Sequence, residues 1–108
     1  MSSDPSVFAC DMNALTLAER VRHGVNTSRL LKSLQGVDEN ANGYALHFSN
    51  ETQTIQQAAE FISLERLCCP FFDFSLHVGP GNEPIDLRLT GADGIKDFIR
   101  SEFGGVIR

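Results

Sequence analysis

The sequence predicts an α+β domain of order α-β-β-α-β-β-α, a four-stranded antiparallel sheet with helices packed on one face. Three observations carry this expectation. Helix-period segments alternate with paired segments of strand period. Turn signals, Asn42-Gly43 and Gly79-Pro80-Gly81-Asn82-Glu83-Pro84, fall between the members of each strand pair. A single helix separates the two hairpins, which favours one sheet backed by helices. The 108 residues fit one domain, 1–108, with residues 1–11 as an extended N-terminal arm.

Each element has its own justification. Thr16-Leu17-Ala18-Glu19 has capping-box spacing, a hydroxyl followed three residues later by a carboxylate. The helix that follows is expected to run to about Leu34 and to stop at Gly36. Leu17, Val21, Val25, Ser28 and Leu31 form its expected inner stripe, with Gly24 allowing close packing. A first strand, about Leu34–Asp38, is weakly marked, whereas Tyr44-Ala45-Leu46-His47-Phe48 alternates cleanly. A second helix starts near Glu51–Thr54 and ends at Cys68, because Pro70 disfavours helical geometry at Cys69. Phe72, Phe74, Leu76 and Val78 then alternate with polar residues, as do Ile85, Leu87 and Leu89. The last helix, about Ala92–Phe103, buries Ile95, Phe98, Ile99 and Phe103 before Gly104-Gly105.

The totals exclude several classes of function. The net charge is −5, and no run of Lys or Arg is present, so nucleic acid is not an expected partner. No apolar stretch approaches a membrane span, and Met1-Ser2-Ser3-Asp4-Pro5 does not begin like a signal peptide. A cytosolic protein is expected. Three Cys, two of them adjacent, do not make a secreted disulfide framework, so thiols or metal-bound thiolates are expected instead.

The chemistry concentrates in Glu65-Arg66-Leu67-Cys68-Cys69-Pro70-Phe71. On a helical wheel Ile55, Ala58, Ile62 and Cys69 share a face, Phe61 flanks it, and Glu65 falls in its middle. A carboxylate aimed at a core must find a partner or change its pKa. Glu65 is therefore a ligand or acid/base candidate, or else a structural carboxylate paired with an Arg or a Tyr hydroxyl, or one that a roll of the helix brings to water. Cys68 and Cys69 are soft-ligand candidates for Cu(I), Zn(II) or heavier thiophilic ions. Their adjacency is not the common zinc spacing, and core packing is the alternative. Thiol redox catalysis fits less well, because a helix C-terminus and a nearby carboxylate both raise a thiol pKa. A bound cation reverses that logic. Neighbours near a helix end point about 100° apart, so the pair alone is a poor chelate. Cys10 or His23 must supply the convergence, with the arm folding back across the end of the second helix. On the strands, His47, His77, Arg88, Asp73 and Asp86 fall on the polar side, where they line a ligand pocket, a dimer surface or simply solvent.

Phe8-Ala9-Cys10-Asp11-Met12-Asn13-Ala14-Leu15-Thr16, Glu19-Arg20-Val21-Arg22-His23, Phe61 to Phe71 and Leu87-Arg88-Leu89-Thr90-Gly91 carry a resemblance. Together they resemble a group of small uncharacterised bacterial proteins with a Glu-Arg-x-Cys-Cys-Pro-Phe signature. The likeness runs from about Phe8 to Phe103 and is most specific at Cys-Cys-Pro-Phe. It implies that Cys10, His23, Glu65, Cys68 and Cys69 match the group's pattern, and it lends no reaction, substrate or cofactor. Gly91-Ala92 stands where Gly-Pro is expected, a change confined to a turn.

Three readings of function follow. The first is a soft metal or metalloid ion bound by Cys10, Cys68 and Cys69, with Glu65 and His23 as further ligands. The second is a non-catalytic fold with a structural Cys pair and a sheet face that binds a partner or a second copy. The third is a small-molecule enzyme with Glu65 as acid/base.

Overall fold

The computed structural model describes residues 8–105. The elements are α1 (Leu17–Leu31), β1 (Leu34–Asn40), β2 (Gly43–Phe48), α2 (Thr52–Cys68), β3 (Asp73–His77), β4 (Ile85–Thr90) and α3 (Ile95–Glu102). They form a four-stranded antiparallel sheet of order β1-β2-β4-β3, with two hairpins joined through their second strands. Tyr44, Leu46 and Phe48 of β2 stand beside Leu89, Leu87 and Ile85 of β4, all buried. The helices cover this face, and Ala58, Phe61, Leu64, Ile95 and Ile99 complete the core. Phe74 and Leu76 extend the apolar face onto β3. Among the described residues no helix is long and apolar enough to cross a membrane.

The capping box forms as expected. Thr16 Oγ accepts from the Glu19 N–H, and Glu19 accepts from the Thr16 N–H. The stripe that α1 buries is a different one, however. Leu17, Val21 and Val25 are 70%, 61% and 46% exposed, and Ser28 is exposed too. His23, Asn26 and Leu30 are buried in their place. The helix has rolled because its polar residues find partners on α2. The Asn26 amide donates to the Gln57 carbonyl (2.9 Å) and His23 meets Glu65. Gly24 makes no close packing contact, since open space surrounds the position of a Cβ. The helix also stops early. Lys32 and Ser33 N–H groups turn back to Arg29 and Leu30 carbonyls, and Gly36 lies within β1 instead of ending a helix.

In the first hairpin the turn residues are Ala41 and Asn42, and Gly43 already belongs to β2. A Cβ on Gly43 would lie 1.9 Å from the Leu89 carbonyl oxygen. Glycine is needed there for close approach of β4, not for turn geometry. A register shift between Leu34 and Gly36 explains why β1 is weakly marked in the sequence. Gly94, with φ +94°, starts α3 later than its apolar pattern suggests.

Candidate sulfur site at the end of α2

Pro70 allows α2 to run only to Cys68, and Cys69 leaves the helix with φ −126° and ψ 72°. That departure swings the Cys69 side chain towards its neighbour. The two Sγ atoms lie 3.8 Å apart, so the divergence expected for a helical pair does not apply. Both residues are 1% exposed.

The arm returns to this point, as the convergence argument requires. A second correction comes with it: Cys10 and Cys69 are joined as a disulfide, and Cys68 is the free, buried thiol. The expectation of three thiols rested on the odd count, and an odd count still permits one bond when a distant segment returns. Two further contacts hold the arm independently of sulfur. The Asp11 N–H donates to the Cys68 carbonyl (2.8 Å), one of the carbonyls a helix end leaves open. Phe8 packs edge-on against Phe71, with ring centroids 5.3 Å apart. These two contacts straddle the disulfide in both chain segments.

Glu65 lies one turn before the cysteines, and its side chain is only 12% exposed. Its partner is neither an Arg nor a Tyr. His23 Nε2 donates to Glu65 Oε1 at 2.7 Å, and the His23 ring stacks on Phe61. The same carboxylate oxygen is 3.7 Å from Cys68 Sγ. One ligand atom each from His23, Glu65 and Cys68 lie within 4.8 Å of one another. Burial first, and the Glu65 carboxylate second, push the Cys68 thiol up to about 11. At neutral pH Cys68 is therefore a protonated thiol, a weak nucleophile, and a ligand only for something that displaces its proton.

An open cavity of about 420 Å³ adjoins these groups. Cys10, Cys68, Cys69, Glu65 and His23 all line it, so the structure brings together every candidate site residue of the sequence. Its other walls include Met12, Leu31, Phe61 and Phe103. Glu102 adds a second carboxylate, and among the described residues the lining holds no Lys or Arg. Two buried polar atoms of the lining residues, His23 Nδ1 and Thr27 Oγ, have no hydrogen-bond partner among the described residues. Sequence reasoning missed Thr27. Its signal is the spacing, four residues after His23 on the same helix face.

The polar sheet face is arranged differently. His47 Nδ1 pairs with Asp86, and His47 Nε2 pairs with Asp38 at 2.7 Å. Burial alone would lower the His47 pKa, but the hydrogen bonds its ring donates to both carboxylates outweigh it and hold the value above 6.5. Asp73, His77 and Arg88 are exposed on that face. No family model matches the chain, and neither a curated protein nor a solved structure matches it.

Proposed function

We propose that the reduced protein binds a thiophilic metal or metalloid ion through Cys10, Cys68 and Cys69, with Glu65 and His23 beside it. The observation that supports this most is the gathering of three sulfurs at one helix end. Cys10 and Cys69 are in bonding contact, and Cys68 Sγ stands 3.8 Å from Cys69 Sγ. Zinc–sulfur bonds of about 2.3 Å put sulfurs sharing one tetrahedral ion roughly 3.7 Å apart. Reduction of the disulfide, taking up two electrons and two protons, frees the other two thiols. Phe8 on Phe71 and the Asp11 N–H on Cys68 then keep Cys10 close without the covalent bond.

The electrostatics support a cation or a neutral hydroxide over an anion. Among the described residues two carboxylates line the cavity and no Lys or Arg does. Glu65 opposes a lone thiolate, but a bound ion reverses that effect and favours thiolates and carboxylate together. The reading places the protein in a reducing compartment such as the cytosol, where the open form persists.

Anaerobic titration of the dithiothreitol-reduced protein with As(III), Cu(I) and Zn(II) tests this. One equivalent of at least one ion should bind, and Cys10→Ser should weaken that binding about a hundredfold or more, on the order of 2.7 kcal/mol. Failure of the reduced, folded protein to bind any of the three would overturn the reading.

A further inference from the structure

We infer that the site takes its thiophilic ion with an organic substituent attached, an aryl or alkyl group that occupies the adjoining cavity. This rests on the thiolate-binding reading and adds the class of ligand. The cavity is too large for an ion alone. The cavity measures about 420 Å³, whereas a water molecule occupies about 30 Å³ of liquid and small-molecule pockets begin near 300 Å³. A bare ion held by the clustered donors leaves most of that space unused.

The wall chemistry also suits an organic group. His23, Glu65 and Cys68 offer their ligand atoms within 4.8 Å of one another, a small part of the cavity. Beyond them stand Met12, Leu31, Phe61 and Phe103, which are apolar. Phe61 and Phe103, with ring centroids 6.4 Å apart, present aromatic surface suited to an aryl group. Gly24 also belongs to the lining, and no atom outside its own surroundings lies within 4 Å of where its Cβ would be. That glycine leaves room open in a helix, where alanine would be more stable by about 1 kcal/mol.

Valence agrees with the wall chemistry. A trivalent ion such as As(III) that carries one organic group has two bonds left for sulfur. Cys68 and Cys69, with sulfurs 3.8 Å apart, supply both. The step balances without redox chemistry. An organoarsonous acid, R–As(OH)2, exchanges its two hydroxyls for two sulfurs. Each thiol proton leaves with a hydroxyl as water, so two As–O bonds break, two As–S bonds form and arsenic stays trivalent. The bare ion, by contrast, needs Cys10 as its third sulfur.

The experiment compares arsenite with phenylarsine oxide on the reduced full chain. Four proteins are titrated: the unaltered chain, Gly24→Leu, Thr27→Leu and Cys10→Ser. The two leucine variants fill the cavity from α1 and replace no sulfur ligand. They should weaken phenylarsine oxide at least tenfold and leave arsenite within about threefold. Cys10→Ser should do the opposite, weakening arsenite far more than phenylarsine oxide. If folded leucine variants bind both compounds as the unaltered chain does, or lose both equally, the organic group does not occupy the cavity and the inference is overturned. If the unaltered reduced chain binds neither compound, the thiolate reading itself fails.

Discussion

His23 and His47 both meet carboxylates, on opposite sides of the same sheet, and the two arrangements leave different chemistry behind. His47 uses both ring nitrogens, one on Asp86 and one on Asp38. Its side chain is 25% exposed, and Asp38 is 77% exposed, so water shares the load. His23 is 8% exposed, uses Nε2 on Glu65 and leaves Nδ1 without a partner among the described residues. The lesson is about residual valence. A polar cluster whose bonds close among themselves is a stabilising contact. A buried cluster with an unused nitrogen, an unused hydroxyl and a thiol beside a cavity retains the capacity to bind something else.

That contrast can be broken by measurement. The largest effect is expected at Glu65. Glu65→Ala strands the buried His23 ring and should cost about 1–3 kcal/mol in denaturant unfolding of the oxidised protein. A cost near zero would show that Glu65 contributes nothing to the fold and would remove the buried side of the comparison.

A second effect lies at Cys68. Its folded value, about 11, lies above the 9.0 of an unfolded thiol. Below 9.0 both states hold the proton, and stability does not depend on this group. From 9.0 to about 11 the unfolded chain releases the proton and the folded chain retains it, so stability falls as pH rises. In the oxidised protein, thiolate ultraviolet absorbance should therefore appear near pH 11. Its appearance near 9 would place Cys68 in water, away from the carboxylate.

The smallest effect is expected at the sheet. Asp86→Asn should cost about 1 kcal/mol and somewhat less at high salt, as expected of a partly exposed pair whose His keeps a second carboxylate. The folded His47 value is raised above 6.5, so the stabilisation is complete below 6.5 and is lost as pH rises through the folded value. An NMR titration of the ring protons should place the midpoint above 6.5 in the parent and lower in Asp86→Asn. A midpoint below 6.5 in the parent would dissolve the carboxylate clamp.

The element order was legible because each hairpin and helix carries its own period and punctuation. Thr16 and Pro70 marked the two boundaries that matter most for the site. The roll of α1 was not legible. Leu17, Val21 and Val25 make the more apolar stripe, yet His23 and Asn26 are buried because their partners lie about 31 to 42 residues away on α2. The wheel placed Glu65 among buried residues, and identifying its partner needed the rolled helix. Cys10 was expected to approach the cysteine pair only if a shared ion required it, with His23 as the alternative. Its oxidation to a disulfide depends on a segment returning from 59 residues away, which local pattern cannot encode.

The Cys10–Cys69 bond also turns a segment of the chain into a ring. The ring encloses α1, β1, β2 and α2, and leaves β3, β4 and α3 outside. Tension applied to the two chain ends passes through the bond and bypasses the 59-residue span. At about 3.3–3.6 Å per residue, roughly 200 Å of contour length is withheld from extension. Closing so long a loop also restricts the denatured ensemble, an effect of about 4 kcal/mol in the chain-entropy picture. The oxidation state at one helix end is thereby converted into the extensible length of the whole molecule.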